Sequence, residues 1–148
     1  MIKERDGSDP LYADELRTLH DATFLDSAPM PNFETGHCWL VYDRDLWAYG
    51  VKSIVAFATI VPSYFDPLTI GYFNRVGVLP RARGHKLQRR LLSVIERRAR
   101  KNGWTTIISD TTDNPPSANA MISAGYKIFE PAVRWSFQHS IYWKKELQ

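Results

Sequence analysis

Cysteine is nearly missing from this chain: Cys38 is the only one in 148 residues. That count excludes an intramolecular disulfide framework and a cysteine-based zinc site. No apolar run approaches the ~18 residues of a membrane span, so no membrane partner is expected. The four histidines, His20, His37, His85 and His139, are scattered without an H-x-x-x-H spacing, and no metal is expected. The charged start MIKERDGSDP has no apolar core behind it. This is unlike a secretory signal, and a cytoplasmic location is expected. Repeats, low-complexity tracts and linkers are also missing, so residues 1–148 are expected to form one domain.

The residues present describe a globular protein. Apolar residues make up 44% and charged residues 24%, which argues against wholesale disorder, and aromatics reach 13%. The net charge of +3 hides an asymmetry. Residues 81–101 hold nine Lys or Arg and a single acid, Glu96, while the rest of the chain is net negative. A localised positive field implies an anionic partner near that segment. The acidic remainder points more weakly to a cationic second partner. Charge alone is equally explained by a solvated amphipathic helix.

Hydrophobic spacing gives a coarse element order. Asp9-Pro10 suits a helix start, and Tyr12, Leu16 and Leu19 follow at helical spacing to about Phe24. Ser27–Asn32 reads as a loop because of its two prolines. His37–Tyr42 reads as a strand that turns at Asp43-Arg44-Asp45. Ser53–Val61 is a strand apolar enough to be buried on both faces, and Ile70–Val78 is a third. Leu87–Asn102 is a helix with Leu87, Leu91 and Ile95 in one line, Leu92 and Ala99 beside it, and Gly103 at its end. Thr105–Ser109 is a strand, Pro115–Ala124 a short helix, and Tyr126–Phe129 and His139–Lys144 are further strands. Strands alternating with helices in the second half predict an α/β (α+β) fold, with a partly parallel sheet of six to seven strands.

The segment Pro80-Arg-Ala-Arg-Gly84-His-Lys-Leu-Gln88 joins the third strand to the basic helix. A tight turn feeding a helix leaves backbone N–H groups unpaired and pointing one way. With the helix dipole they suit a diphosphate. Gly84 would let phosphate oxygens approach without a Cβ in the way. Arg81, Arg83, Lys86, Arg89 and Arg90 add positive charge. The spacing matches neither a P-loop nor a dinucleotide-binding fingerprint.

The stretch from Val76 to Leu92 resembles motif A of the GNAT N-acetyltransferase superfamily: V-x-P, then Q/R-x-x-G-x-G/A and a helix. Arg81, Arg83 and Gly84 match, and Lys86 stands where Gly or Ala is usual. Downstream, Asn114-Pro-Pro-Ser117 followed by a helix and Gly125-Tyr126 resembles the family's motif B.

The resemblance implies an acetyl-CoA-binding sheet, splayed between the strand ending at Val78 and the strand ending near Ser109. It implies a pantetheine arm along Val76, Gly77 and Val78. The diphosphate would lie on Arg83, Gly84, His85, Lys86, Leu87 and Gln88, with Arg81 nearby, and Asn114 and Ser117 would approach the cofactor from the other side. The acceptor amine would attack the thioester directly. Many relatives place a Tyr acid seven residues after the motif B Asn, where this chain has Met121. A base sits in some relatives at the position of Ser109, which could order a water instead. Asn74, alternating with Val76 and Val78, is a second water-holding candidate, and Tyr142 is the alternative acid. Each has a plainer reading: Asn74 as a strand amide, Tyr142 as a strand aromatic, Asp110 as a loop cap. In the family, the loop carrying Arg134 and Trp135 often borders the acceptor, and the loop from Pro62 to Pro67 is a second candidate.

An acetyl-CoA-dependent N-acetyltransferase acting on a small-molecule, peptide or protein amine is therefore the first expectation. A CoA-binding protein without catalysis is the alternative that Met121 keeps open. A nucleic-acid-binding module is a weaker one, because the basic run lacks a helix-turn-helix pattern and interleaved aromatics. Trp47 and Trp143, read as exposed, would offer a surface for a homodimer. Cys38, alternating with Leu40 and Tyr42, reads as a buried inert thiol.

Overall fold

Two strongly apolar strands mark the first half of the chain, and the computed structural model describes residues 1–23 and 36–148. The elements run β1 (Ile2–Arg5), α1 (Pro10–Thr23), β2 (His37–Tyr42), α2 (Arg44–Ala48), β3 (Ile54–Pro62), β4 (Ile70–Val78), α3 (Leu87–Lys101), β5 (Thr106–Thr111), α4 (Pro115–Ser123), β6 (Lys127–Ile128) and β7 (Ile141–Glu146). Among the described residues the strands form one seven-stranded sheet in the order β1-β2-β3-β4-β5-β7-β6. The β4–β5 pair is parallel, while β1–β2, β2–β3, β5–β7 and β6–β7 are antiparallel. This is the mixed α/β sheet expected from the element order. The loop read at Ser27–Asn32 lies outside the described residues.

The first of two units comprises Met1–Val61 and Arg75–Leu87. Its core gathers Leu16 and Leu19 from α1 with Cys38, Leu40, Tyr42 and Phe57 from β2 and β3. The helical stripe and one face of the two strands thus meet on one apolar surface. β3 is buried along nearly its whole length, as its uninterrupted apolar run requires. Two elements go beyond the sequence reading. β1 is a charged segment, Ile2-Lys-Glu-Arg5, whose strand character comes from its ladder with β2. α2 occupies the stretch read as a turn, because the Asp43 side chain accepts from the N–H groups of Asp45 and Leu46, both at 3.0 Å, and caps a helix there. Cys38 is buried, and its Sγ lies 2.8 Å from the Arg5 carbonyl oxygen. Burial pushes its thiol up to about 11.

The second unit comprises Pro62–Asn74 and Gln88–Gln148. Here Leu91, Leu92, Ile95 and Ala99 of α3, Ile107 of β5, Met121 of α4, and Tyr142 and Trp143 of β7 are all buried. Lys145 of β7 ties the helices down, donating to Glu96 at 2.9 Å and to the Ala124 carbonyl at 2.7 Å. Trp143 is 1% exposed, with its indole N–H donating to Thr111. It faces inward because its ladder partner is Ser109, so it offers no surface to a second copy.

Candidate active site

β4 ends at Val78, and Pro80–Ala82 forms a single 3₁₀ turn. Pro80 fits its first position, where no N–H is needed. Two backbone bonds close it, Ala82 N–H to Leu79 O at 2.9 Å and Arg83 N–H to Pro80 O at 3.2 Å. Beyond this point the chain turns left-handed twice, at Gly84 (φ 85°) and at Lys86 (φ 57°). Glycine adopts that conformation freely, whereas lysine is strained in it. Among the described residues, none accepts a hydrogen bond from the N–H of Gly84, His85 or Lys86. A Cβ built on Gly84 would meet nothing within 4 Å. Successive free N–H groups on a backbone of alternating hand make a concave anion site. The chain then enters α3 at Leu87, whose first turn adds its own unpaired donors.

The side chains around this turn are partly engaged. Arg81 donates to the Ser53 hydroxyl at 2.9 Å, and Arg83 Nε donates to the Val78 carbonyl at 3.2 Å. Val76 and Val78 are half-buried on one face of β4, while Gly77 is buried on the other. A Cβ on Gly77 would collide with the Phe57 ring and the Thr23 side chain. Gly77 is therefore required by close packing inside the first unit.

In the second unit, Asn114 caps α4 and accepts from the Ser117 N–H at 3.1 Å, with Pro115 at the first helical position. The Ser117 hydroxyl in turn accepts from Gln88 Nε2 at 3.0 Å. Gln88, read on the diphosphate, and Asn114 and Ser117, read on the other side of the cofactor, are thus joined through Ser117, which meets Gln88 with its hydroxyl and Asn114 with its backbone N–H. Met121 is fully buried in α4 and can supply no proton.

The ladder sorts the catalytic candidates by face. Phe73 is the β4 partner of Ser109, and Trp143 is its β7 partner. Ser109 shares their face, is 3% exposed, and its hydroxyl donates to the Phe73 carbonyl at 2.8 Å. Asp110 is the ladder partner of Tyr142 on the opposite face. By the two-residue period of strands, Tyr72 and Asn74 belong to that same face. Asn74 and Tyr142 are therefore brought to one face and Ser109 does not join them. The Tyr142 phenol oxygen accepts from the Ser136 N–H at 2.9 Å. The β4–β5 register runs from Ile70↔Thr106 to Phe73↔Ser109, and Asn74–Val78 lies outside that ladder.

Two residues that the sequence reading did not place at a site, Tyr72 and Asp110, meet on the face of Asn74 and Tyr142. Asp110, read as a loop cap, accepts on a single carboxylate oxygen from the Tyr72 hydroxyl at 2.5 Å and from the Trp135 indole N–H at 2.7 Å. The alternation of Tyr72 with Asn74 was the available signal for Tyr72. Nothing in the spacing of Asp110 and Trp135, 25 residues apart, announces their bond. Among the described residues no group of three or more His, Cys, Asp or Glu could hold a metal ion.

Comparisons with known proteins bear on the family and the fold. The model of the acetyltransferase (GNAT) family matches residues 9–126. No curated protein matches the chain by sequence. Among solved structures, an aminoglycoside 6'-N-acetyltransferase complexed with coenzyme A superposes with a TM-score of 0.75 at 17% identity, covering 99% of this chain and 96% of that one. The aminoglycoside 6'-N-acetyltransferase from Enterococcus faecium gives 0.72 at 18% identity over 99% and 96%. An acetyltransferase from Bacillus subtilis in complex with CoA gives 0.69 at 14% identity over 99% and 98%. With a family model spanning most of its length and both motifs in order, this chain belongs to the GNAT acetyltransferase family.

Proposed function

We propose that this protein moves an acetyl group from acetyl-CoA to a primary amine by direct attack in a ternary complex. The observation that carries the reading is the turn, where the N–H groups of Gly84, His85 and Lys86 have no protein acceptor among the described residues and the space over Gly84 is open. A diphosphate fits such a concavity in shape and charge, and the membership of the family supports reading it as that of coenzyme A.

In this reading the diphosphate rests on residues 83–88, with Arg81, Arg83 and Lys86 neutralising it. Backbone at Val76, Gly77 and Val78 receives the pantetheine arm, and Asn114 and Ser117 serve the same ligand. The thioester of acetyl-CoA supplies an activated acyl carbon. The amine nitrogen bonds to that carbon while the carbon–sulfur bond breaks, so the ammonium must first lose a proton. Asn74 holds the water that carries it away. Tyr142 donates to the departing sulfur: its oxygen already accepts from Ser136, which leaves its own O–H to give. The leaving thiol, with a pKa of about 8.5, asks little of that acid.

Met121, buried where many relatives carry a tyrosine acid, favours a second reading in which CoA is bound and nothing is transferred. Calorimetry with acetyl-CoA, followed by thiol release across a panel of amines, separates the two. Binding with turnover supports transfer, binding without turnover supports the second reading, and no binding sinks both. Tyr142→Phe refines the assignment, since an unchanged rate across pH removes Tyr142 from the acid role.

A further inference from the structure

The second unit contains a side-chain cluster that acetyl transfer by itself does not explain. Trp135 is surrounded by four rings: Tyr142 at 4.5 Å between centroids, Phe65 and Tyr72 at 5.9 Å each, and Phe129 at 6.3 Å. The loop before β4, β4 itself, the segment after β6 and β7 supply them. Trp135 is half-buried and Phe65 is 53% exposed, so the cluster is open to solvent on one side.

Asp110 lies at the heart of this cluster. Tyr72 and Trp135 both donate to its Oδ2, while its Oδ1 takes no donor among the described residues. In the same unit Glu96, Asp113 and Glu130 face Lys145, His139 and Arg134, respectively. Asp110 has only neutral donors. Arg134 sits over the Tyr142 ring at 4.9 Å and is tied to Glu130 and to the Gln138 and Ser140 carbonyls. A carboxylate held by two neutral donors and edged by aromatic rings lacks its counter-ion. Its free oxygen and the surrounding π-faces both attract a cation.

We infer that Asp110 and the rings around Trp135 seat the acceptor's ammonium group, and that the preferred acceptor is a monocationic amine on a flat, apolar body. One carboxylate satisfies one positive charge, and a planar apolar body matches the rings better than a hydrated polycation does. This inference rests on the acetyl-transfer reading for its catalytic meaning, although the cation site itself does not.

The test therefore reads binding without CoA. The Trp135 indole N–H resonance, assigned as the one lost in Trp135→Phe, is followed while 2-phenylethylammonium, neutral 2-phenylethanol and spermidine are added in turn. The arylalkyl ammonium should move that resonance at the lowest concentration, and the neutral alcohol should need ~10-fold more or fail to saturate. Asp110→Asn keeps an oxygen for Tyr72 and Trp135 and removes only the charge. It should weaken the ammonium by ~10-fold or more while leaving the neutral compound unchanged. Trp135→Phe serves as a second variant: it keeps a ring, and its binding can be followed on the neighbouring Tyr142 resonances if the asparagine variant does not fold. Equal response to the alcohol, tighter response to spermidine, or no effect of removing the charge would each overturn the inference. Acetyl-CoA calorimetry run alongside keeps the two proposals apart, because the amine site can stand when CoA does not bind, and CoA can bind when the amine site fails.

Discussion

The turn at residues 83–86 and the cluster around Trp135 are built from opposite materials. The turn works through backbone: its donors are N–H groups, and its special residues are those with left-handed φ, Gly84 and Lys86. The cluster works through side chains: a carboxylate, an indole, a phenol and their neighbours. A backbone site is local in sequence, because consecutive residues make it. A side-chain site is assembled from β4, β5 and the loop before β7 only when the chain has folded. The difference predicts opposite mutational behaviour. In the turn, changes that alter φ or fill the space should matter most, and the loss of any one side chain should matter less. In the cluster, the side chains should be decisive.

The strongest challenge to this contrast is Gly84→Val. The added branch enters the open space above the turn, and valine resists φ near +85°. Acetyl-CoA affinity should fall ~100-fold or more, about 3 kcal/mol, measured by calorimetry. Normal affinity would end the placement of the diphosphate. Next comes Trp135→Ala, which removes a half-buried ring and one of the two donors on Asp110. It should cost about 2 kcal/mol of stability in denaturant titration. A loss under about 0.5 kcal/mol would mean that the cluster is not held together by that ring.

Lys86→Gly sharpens the contrast from the other side, since it relieves a lysine held at φ 57°. Stability should rise by about 0.5–1 kcal/mol, while acetyl-CoA affinity should change less than ~3-fold once the single charge is allowed for. The smallest effect belongs to His85→Ala. Its N–H remains, so affinity should shift by less than ~2-fold. A large loss there would make the imidazole, and not the backbone, the ligand.

The same distinction explains what was legible in the sequence. Gly84 and the Asn114–Ser117 spacing are short-range features, and the structure places them as a left-handed turn and a capped helix. The buried stripe of α3 was legible because Leu87, Leu91, Leu92, Ile95 and Ala99 repeat at helical period. β1 was not, since Lys3, Glu4 and Arg5 carry no apolar alternation and only the partner strand makes them a strand. The face of Ser109 was hidden for a related reason. Strand register decides it, and register follows from which residues pair across the sheet. Asp110 and Trp135 meet through folding, so neither residue announces the other.

The buried thiol of Cys38 has a practical consequence. Its pKa is raised from 9.0 to about 11. The neutral form is therefore favoured in the folded chain, and the associated stability is present below pH 9 and fades as pH climbs toward 11. At the mildly alkaline pH of a chromogenic disulfide assay, native protein should contribute almost no thiolate of its own. Colour that develops with acetyl-CoA and an amine then reports released coenzyme alone, and colour without them reports molecules that have come apart.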